Sequence, residues 1–199
     1  MPLNKIEKEN WVKKIKTPKL GAKVTQVLLK AIEMEGSLNW AAAGGIDAWT
    51  RGGETVYKTK AMVCWLAPLY IAYQAGVAKQ SMLDRYNQCA LATFPLGGTG
   101  PDKVPYAEAS HMGAEAFYRV STSKGASKPG DVVLFYRSNY DHVIHYAMCM
   151  EGLKVASLWS QPNNNNTLQI CTVADLSGVI QRENPGTTVS VRGVTPPWL

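Results

Sequence analysis

The chain has no CxxC pair and no cysteine–histidine spacing of the kind that holds zinc. Its four cysteines, Cys64, Cys89, Cys149 and Cys171, are widely separated, and no metal or organic cofactor is expected. Histidine is scarce: His111, His142 and His145 are the only three. No internal repeat and no interdomain linker stands out, and the composition excludes collagen, a coiled coil and a disordered chain. Residues 1–11 are polar and charged, without an apolar signal core. The expectation is synthesis in a cytoplasm without a cleavable signal peptide, with reduced thiols. Secretion or delivery would then use a non-classical route.

What is present is a globular composition. The 199 residues are 46% hydrophobic and 18% charged, enough for one domain with its own core. The expected organisation is a single domain over 1–199, with a helical N-terminal extension at 1–55 and a core at 56–199. The formal net charge is +6 and the pI about 9.1. A basic surface favours acidic partners such as cell-wall polymers. Much of the excess is early, in Lys5, Lys8, Lys13, Lys14, Lys16, Lys19 and Lys23, which read as a solvated helix face. No nucleic-acid-binding motif accompanies it, so no nucleic acid is expected as a partner.

Residues 61–78 form the longest apolar run, AMVCWLAPLYIAYQAGVA. Pro68, Gln74 and Gly76 interrupt it and no second span follows, so stable membrane insertion is not expected. It reads instead as a helix buried on all sides, from Thr59 or Val63 to about Ala75. Helices are also expected over 4–16, 22–35, 81–92 and 106–119. In the second, Val24, Val27, Leu28, Ala31 and Ile32 form one stripe, stopped by Gly36; in the last, Ala109, Met112, Ala116 and Val120 do. Loops are expected at 44–53 and 94–105. Strands are expected at 132–136, 143–150, 154–159, 168–173 and 187–191. Helices first and an antiparallel sheet of about five strands second make an α+β fold.

Cys64 near the start of the buried helix is the candidate nucleophile. Unpaired N–H groups and the helix dipole favour a thiolate there and could hold an oxyanion. A thiolate needs a base, and histidine is the natural one. His111 reads as a surface residue of an amphipathic helix. His142 and His145, three apart on one strand, face opposite ways. His145 shares its face with the small Ala147 and Cys149, which would let a strand lie close over the nucleophile helix. His145 is therefore the favoured base and His142 the alternative. Ser157, Ser160, Gln161 and Asn163 stand in or just after the next strand. Gln161 or Asn163 could orient the imidazole, with Asp141 or Asp175 as carboxylates from elsewhere.

This arrangement resembles the papain-like cysteine hydrolases, most closely the NlpC/P60 and CHAP domains. The matching pieces are Cys64-Trp65 at the head of an apolar helix, PGDVVLFY (Pro129 to Tyr136), HVIHYAMCMEG (His142 to Gly152) and the strand KVASLW. The resemblance covers about residues 57–175. It implies a papain-like fold, Cys64 as nucleophile, His145 as base and a polar residue after it, here Gln161. Tyr57 matches the residue that assists the oxyanion in relatives. Where NlpC/P60 helices open Asp-Cys-Ser-Gly, this chain has Val63-Cys64-Trp65-Leu66, and Pro68 is expected to kink the first turns.

The function implied is amide hydrolysis through a thioester, as in a peptidoglycan amidase or endopeptidase. The substrate would be a peptide or peptidoglycan, with an immunity or delivery protein as partner. Two alternatives stay open: a toxin or effector that modifies proteins (a deamidase, transglutaminase-like enzyme or thiol protease), and a non-catalytic binding module.

Overall fold

The computed structural model describes residues 2–16, 20–40, 61–93, 106–119, 127–140 and 142–199. Asn4 opens the first helix, α1 (Lys5–Ile15), with a reciprocal cap: its side chain accepts from Glu7 N–H at 2.9 Å, and Glu7 accepts from Asn4 N–H at 2.8 Å. The apolar stripe of α2 (Ala22–Met34) buries Val27, Leu28, Ala31 and Ile32. Gly36, at φ +80°, takes the left-handed backbone just beyond the helix. Buried Glu35 ties down the N-terminal segment. It accepts from Leu3 N–H at 3.0 Å and pairs with Lys8 Nζ at 3.1 Å.

Two short strands follow, β1 (Asn39–Trp40) and β2 (Ala61–Met62), then α3 (Ala67–Gln74), α4 (Gln80–Thr93) and α5 (Tyr106–Tyr118). The sheet strands are β3 (Val132–Arg137), β4 (Val143–Cys149), β5 (Lys154–Trp159), β6 (Thr167–Thr172) and β7 (Val189–Val194), with α6 (Val173–Glu183) between the last two. The described residues thus form a mixed α+β fold of six helices and one sheet, ordered β2-β1-β6-β5-β4-β3-β7. From β1 to β7 every pairing is antiparallel; β2 adds parallel to β1.

The five expected strands are present. Two expectations are corrected. The buried helix begins at Ala67, because Cys64–Leu66 form a turn. Pro68 then falls in the first helical turn, where a missing N–H breaks no bond. The order is also not helices and then sheet, since α6 interrupts the strands. Thr172 caps it, accepting from Asp175 N–H at 2.9 Å, and Asp175 returns the bond. No helix among the described residues is long and apolar enough to cross a membrane.

The sheet separates two cores. On one face Leu134, Tyr146, Met148, Ala156, Leu158 and Leu168 pack with α2, α3 and α5; Ile15 of α1 belongs to the same core. On the other, Val133, Phe135, Ala147, Cys149, Val155 and Cys171 pack against Leu176 and Ile180 of α6. Alternation along each strand assigns residues to the two sides. A β-bulge breaks it in β4: Phe135 pairs with His145 but Tyr136 pairs with Val143, so Ile144 is the extra residue.

The Pro129-Gly130-Asp131 motif closes the turn into β3. Asp131 is buried; its carboxylate accepts from Lys128 N–H at 2.8 Å and from Thr195 Oγ1 at 3.0 Å. Gly130 has φ +91°, a backbone that side chains rarely adopt.

Candidate active site

Cys64 sits in the turn before α3, three residues upstream of its first residue. Tyr118 fixes this turn by donating its O–H to the Trp65 carbonyl at 2.7 Å. The thiol is buried in the helical-face core. Burial pushes it up to about 12, although backbone groups of Tyr146, Trp65 and Cys64 itself hydrogen-bond to it and act in the other direction. The expected resting thiolate is therefore not what this environment favours. The segment does offer backbone donors, but desolvation outweighs them.

His111 is placed differently from the sequence expectation. Ala114, Glu115 and Tyr118 are buried and Ala116 is exposed, so the inward stripe of α5 runs through His111, Ala114, Glu115 and Tyr118. The stripe expected through Met112 and Ala116 was displaced by about one position. The His111 ring lies 4.3 Å from the Trp65 ring and 5.7 Å from that of Tyr146, centroid to centroid. The Tyr146 hydroxyl donates to the His111 carbonyl at 2.6 Å. Burial, with the rings of His142 and His145 adding to it, holds His111 down to about 3. Scarcity was the available signal: any one of only three histidines is a candidate base.

His145 is on the α6 side of the sheet with Ala147 and Cys149, whereas Cys64 belongs to the core on the other side. The small side chains below His145 make room for α6, not for the nucleophile segment. Its ring is packed between Phe135 at 5.6 Å and Trp159 at 5.0 Å, and its Nε2 is 2.8 Å from Ser157 Oγ. Burial holds it, too, down to about 3. His142 is buried with its ring 5.0 Å from Tyr140 and 6.3 Å from His111.

The polar partner of His145 is Ser157, not Gln161. The Gln161 carbonyl accepts from Gln169 Nε2 at 2.7 Å, as does the Trp159 carbonyl, also at 2.7 Å. Asn163 is exposed, and Asp175 caps α6. Tyr57 and Asp141, and the loops expected at 44–53 and 94–105, lie outside the described residues. The sequence reading passed over Glu115. It is buried and accepts from Tyr136 O–H at 3.1 Å, Val143 N–H at 3.2 Å and Arg119 at 2.8 Å, tying α5 to β3 and β4.

Strands β4 and β5 pair from Ala147–Ser157 to Cys149–Val155, and no pairing continues to His145 and Trp159. A cavity of about 290 Å³ is lined by His145, Trp159, Cys64, Trp65 and His111, with Arg137 and Trp40 among its other walls. Thus Cys64, His111 and His145 border one space, although the sheet assigns Cys64 and His145 to different cores. Trp65 Nε1, His111 Nδ1 and Arg137 Nε are buried with no hydrogen-bond partner among the described residues. Buried polar atoms without partners are uncommon, and three of them around one cavity mark it as a place where a ligand can supply acceptors or a donor. The chemistry available is that of a thiol, neutral imidazoles and flat aromatic walls. Among the described residues no group of three or more His, Cys, Asp or Glu is placed to hold a metal ion.

Comparison of the chain with protein-family models, with curated proteins and with solved structures finds no match.

Proposed function

We propose that the protein is a cysteine-dependent amide hydrolase that works through a thioester, with peptidoglycan as substrate. One observation carries the reading: Cys64, His111 and His145 line the same cavity. A thiol alone is a poor nucleophile, and an imidazole within the same space is the group that can take its proton.

Both the raised thiol and the lowered imidazoles favour the neutral pair. The proton therefore leaves sulfur as sulfur attacks the carbonyl, not beforehand. The imidazolium formed then protonates the departing amine, and water releases the acyl group from Cys64 by the reverse sequence. Tryptophans 40, 65 and 159 supply apolar walls for a sugar or peptide chain, and a net charge of +6 suits an anionic wall polymer.

The test is incubation of purified peptidoglycan with the wild-type chain and with Cys64→Ala, followed by mass spectrometry of the soluble fragments. Amide-cleaved muropeptides from the wild type and none from Cys64→Ala are expected. Wall left intact by the wild type, or cut equally by the variant, overturns the proposal.

A second reading, a binding module without chemistry, is favoured by the buried thiol held up to about 12. It requires Cys64 to stay unlabelled by iodoacetamide in the folded chain even with wall fragments bound. Labelling that accelerates on adding fragments counts against it.

A further inference from the structure

We infer that His111 is the general base of the thiol cavity, its bare Nδ1 taking the proton of Cys64 while Val143 and Glu115 fix its ring. The inference rests on the hydrolase reading and assigns one residue's role within it.

Helix α5 holds the nucleophile turn through Trp65 at two places on one helix face. Tyr118 donates to the Trp65 carbonyl at 2.7 Å, and the His111 ring lies 4.3 Å from the Trp65 ring. Tyr146 joins Cys64 to His111 from the sheet. Its backbone hydrogen-bonds to the thiol, and its hydroxyl donates to the His111 carbonyl at 2.6 Å. Among the described residues that line the cavity are His111 and His145 but not His142. His145 borders it from the α6 side, with its Nε2 engaged by Ser157 at 2.8 Å, whereas the buried residues of α5 share one core with Cys64.

A base must present a lone pair, and the nitrogen that does so is set by the bond the other nitrogen makes. His111 Nδ1 is buried with no hydrogen-bond partner among the described residues. The Val143 backbone hydrogen-bonds to the ring and favours its charged form, which is the action of a carbonyl acceptor. The Val143 N–H is given to Glu115 Oε2 at 3.2 Å, which leaves the carbonyl for the imidazole. Nε2 therefore carries the hydrogen and Nδ1 the lone pair. Glu115 stands one turn beyond His111 on α5, so one helix supplies both the base and the carboxylate that steadies its acceptor. Glu115 is a positioning residue.

The proton leaves the Cys64 sulfur for His111 Nδ1 as the sulfur–carbon bond forms. The imidazolium gives it to the amine nitrogen as the carbon–nitrogen bond breaks. Water then gives a proton to Nδ1 while its oxygen attacks the thioester, and that proton returns to sulfur.

His111→Gln tests the role, because its side-chain amide can still donate to the Val143 carbonyl but offers no basic nitrogen. In the folded variant, checked by circular dichroism, peptidoglycan cleavage should fall about 100-fold or more. Alkylation of Cys64 by iodoacetamide, read by peptide mass spectrometry, should slow about tenfold or more. Cleavage that persists in the folded variant overturns the inference and leaves the hydrolase reading standing. No cleavage by the wild type, with alkylation still dependent on His111, overturns peptidoglycan hydrolysis and leaves the base assigned. A Cys64 that stays unlabelled in the wild type, or is labelled equally fast in both chains, overturns the inference. Should the variant not fold, the unaltered chain decides: proton–nitrogen correlation NMR near neutral pH should show His111 protonated on Nε2 alone, and a proton on Nδ1 overturns the inference.

Discussion

His145 Nε2 lies 2.8 Å from Ser157 Oγ, and both residues are buried. Ser157 stands directly opposite Ala147 on β4 and Gln169 on β6, at the last paired position before β4 and β5 separate. The hydroxyl is therefore fixed from both sides while the imidazole it holds reaches the cavity. Ser157 is a positioning residue for the ring.

Ser157→Ala removes the one polar partner seen for the His145 ring. A buried nitrogen left unpaired costs about 1–3 kcal/mol, to be read as a lower urea midpoint at unchanged slope. If His145 serves the proposed hydrolysis, the variant also moves the pH profile of wall cleavage, whereas a purely structural role changes only the amount of folded protein. An unaltered urea midpoint would show that the hydroxyl does not support the ring.

Much of the fold was readable because its signals are local. The strands after Pro129 are short apolar runs, buried on both faces in β3 to β5, and are separated by turn residues. Helix α6 was also written in the chain, in the capping box Thr172–Asp175 and the short stripe Leu176, Val179 and Ile180, but the expected strand through Val173 overran the cap and no helix was expected after it. The site was less legible for a different reason. Strand parity places His145 correctly with Ala147 and Cys149, yet it cannot say which helix covers that face. Nor does it foresee Ile144 as a bulge, or the point at which β4 and β5 part. Those depend on register across strands, and it is this separation that lets Cys64 and His145 line one cavity. His111 was misjudged because a stripe of alanines and Met112 outweighed it in hydropathy, while packing on Trp65 and Tyr146 determined which face turned inward.

The Gly130 turn can be probed by adding a single methyl group. At φ +91° a Cβ is strained, and it would stand 2.8 Å from Leu199 Cδ1 and 3.2 Å from Val24 Cγ1. Gly130→Ala should cost about 1–3 kcal/mol. Adding Leu199→Ala relieves the nearer contact but not the backbone term, so the double variant should recover only part of the loss. Full recovery would locate the whole cost in the contact with Leu199.

Glu35 fastens the N-terminal segment through Leu3 N–H and Lys8 Nζ. Glu35→Gln removes the charge from both. Since Lys8 is 31% exposed at its side chain, solvent screens part of the pair, and the expected loss is about 1–2 kcal/mol. Limited trypsin digestion should cut within α1 faster in the variant than in the wild type. Identical cleavage patterns would mean that the apolar packing of Ile15 is enough to hold α1 in place.

The two lowered histidines predict how stability depends on pH. His111 and His145 fall from 6.5 to about 3 in the folded chain. Between those values the unfolded chain binds protons that the folded chain does not, so stability rises with pH. Their contribution is complete above about pH 6.5 and is lost as pH falls toward 3. At pH 5 the difference is 1.5 units, or roughly 2 kcal/mol for each ring. The raised thiol of Cys64 acts with the opposite sign, and only above its ordinary value of 9.0, outside this window. Urea unfolding between pH 7.5 and 5 should therefore show a falling midpoint, with His145→Gln removing about half of the slope. A midpoint that stays level across that range would mean that both rings accept protons in the folded chain as readily as in the unfolded one. In that case burial does not hold the rings neutral, and the concerted, neutral-pair attack by Cys64 loses its basis.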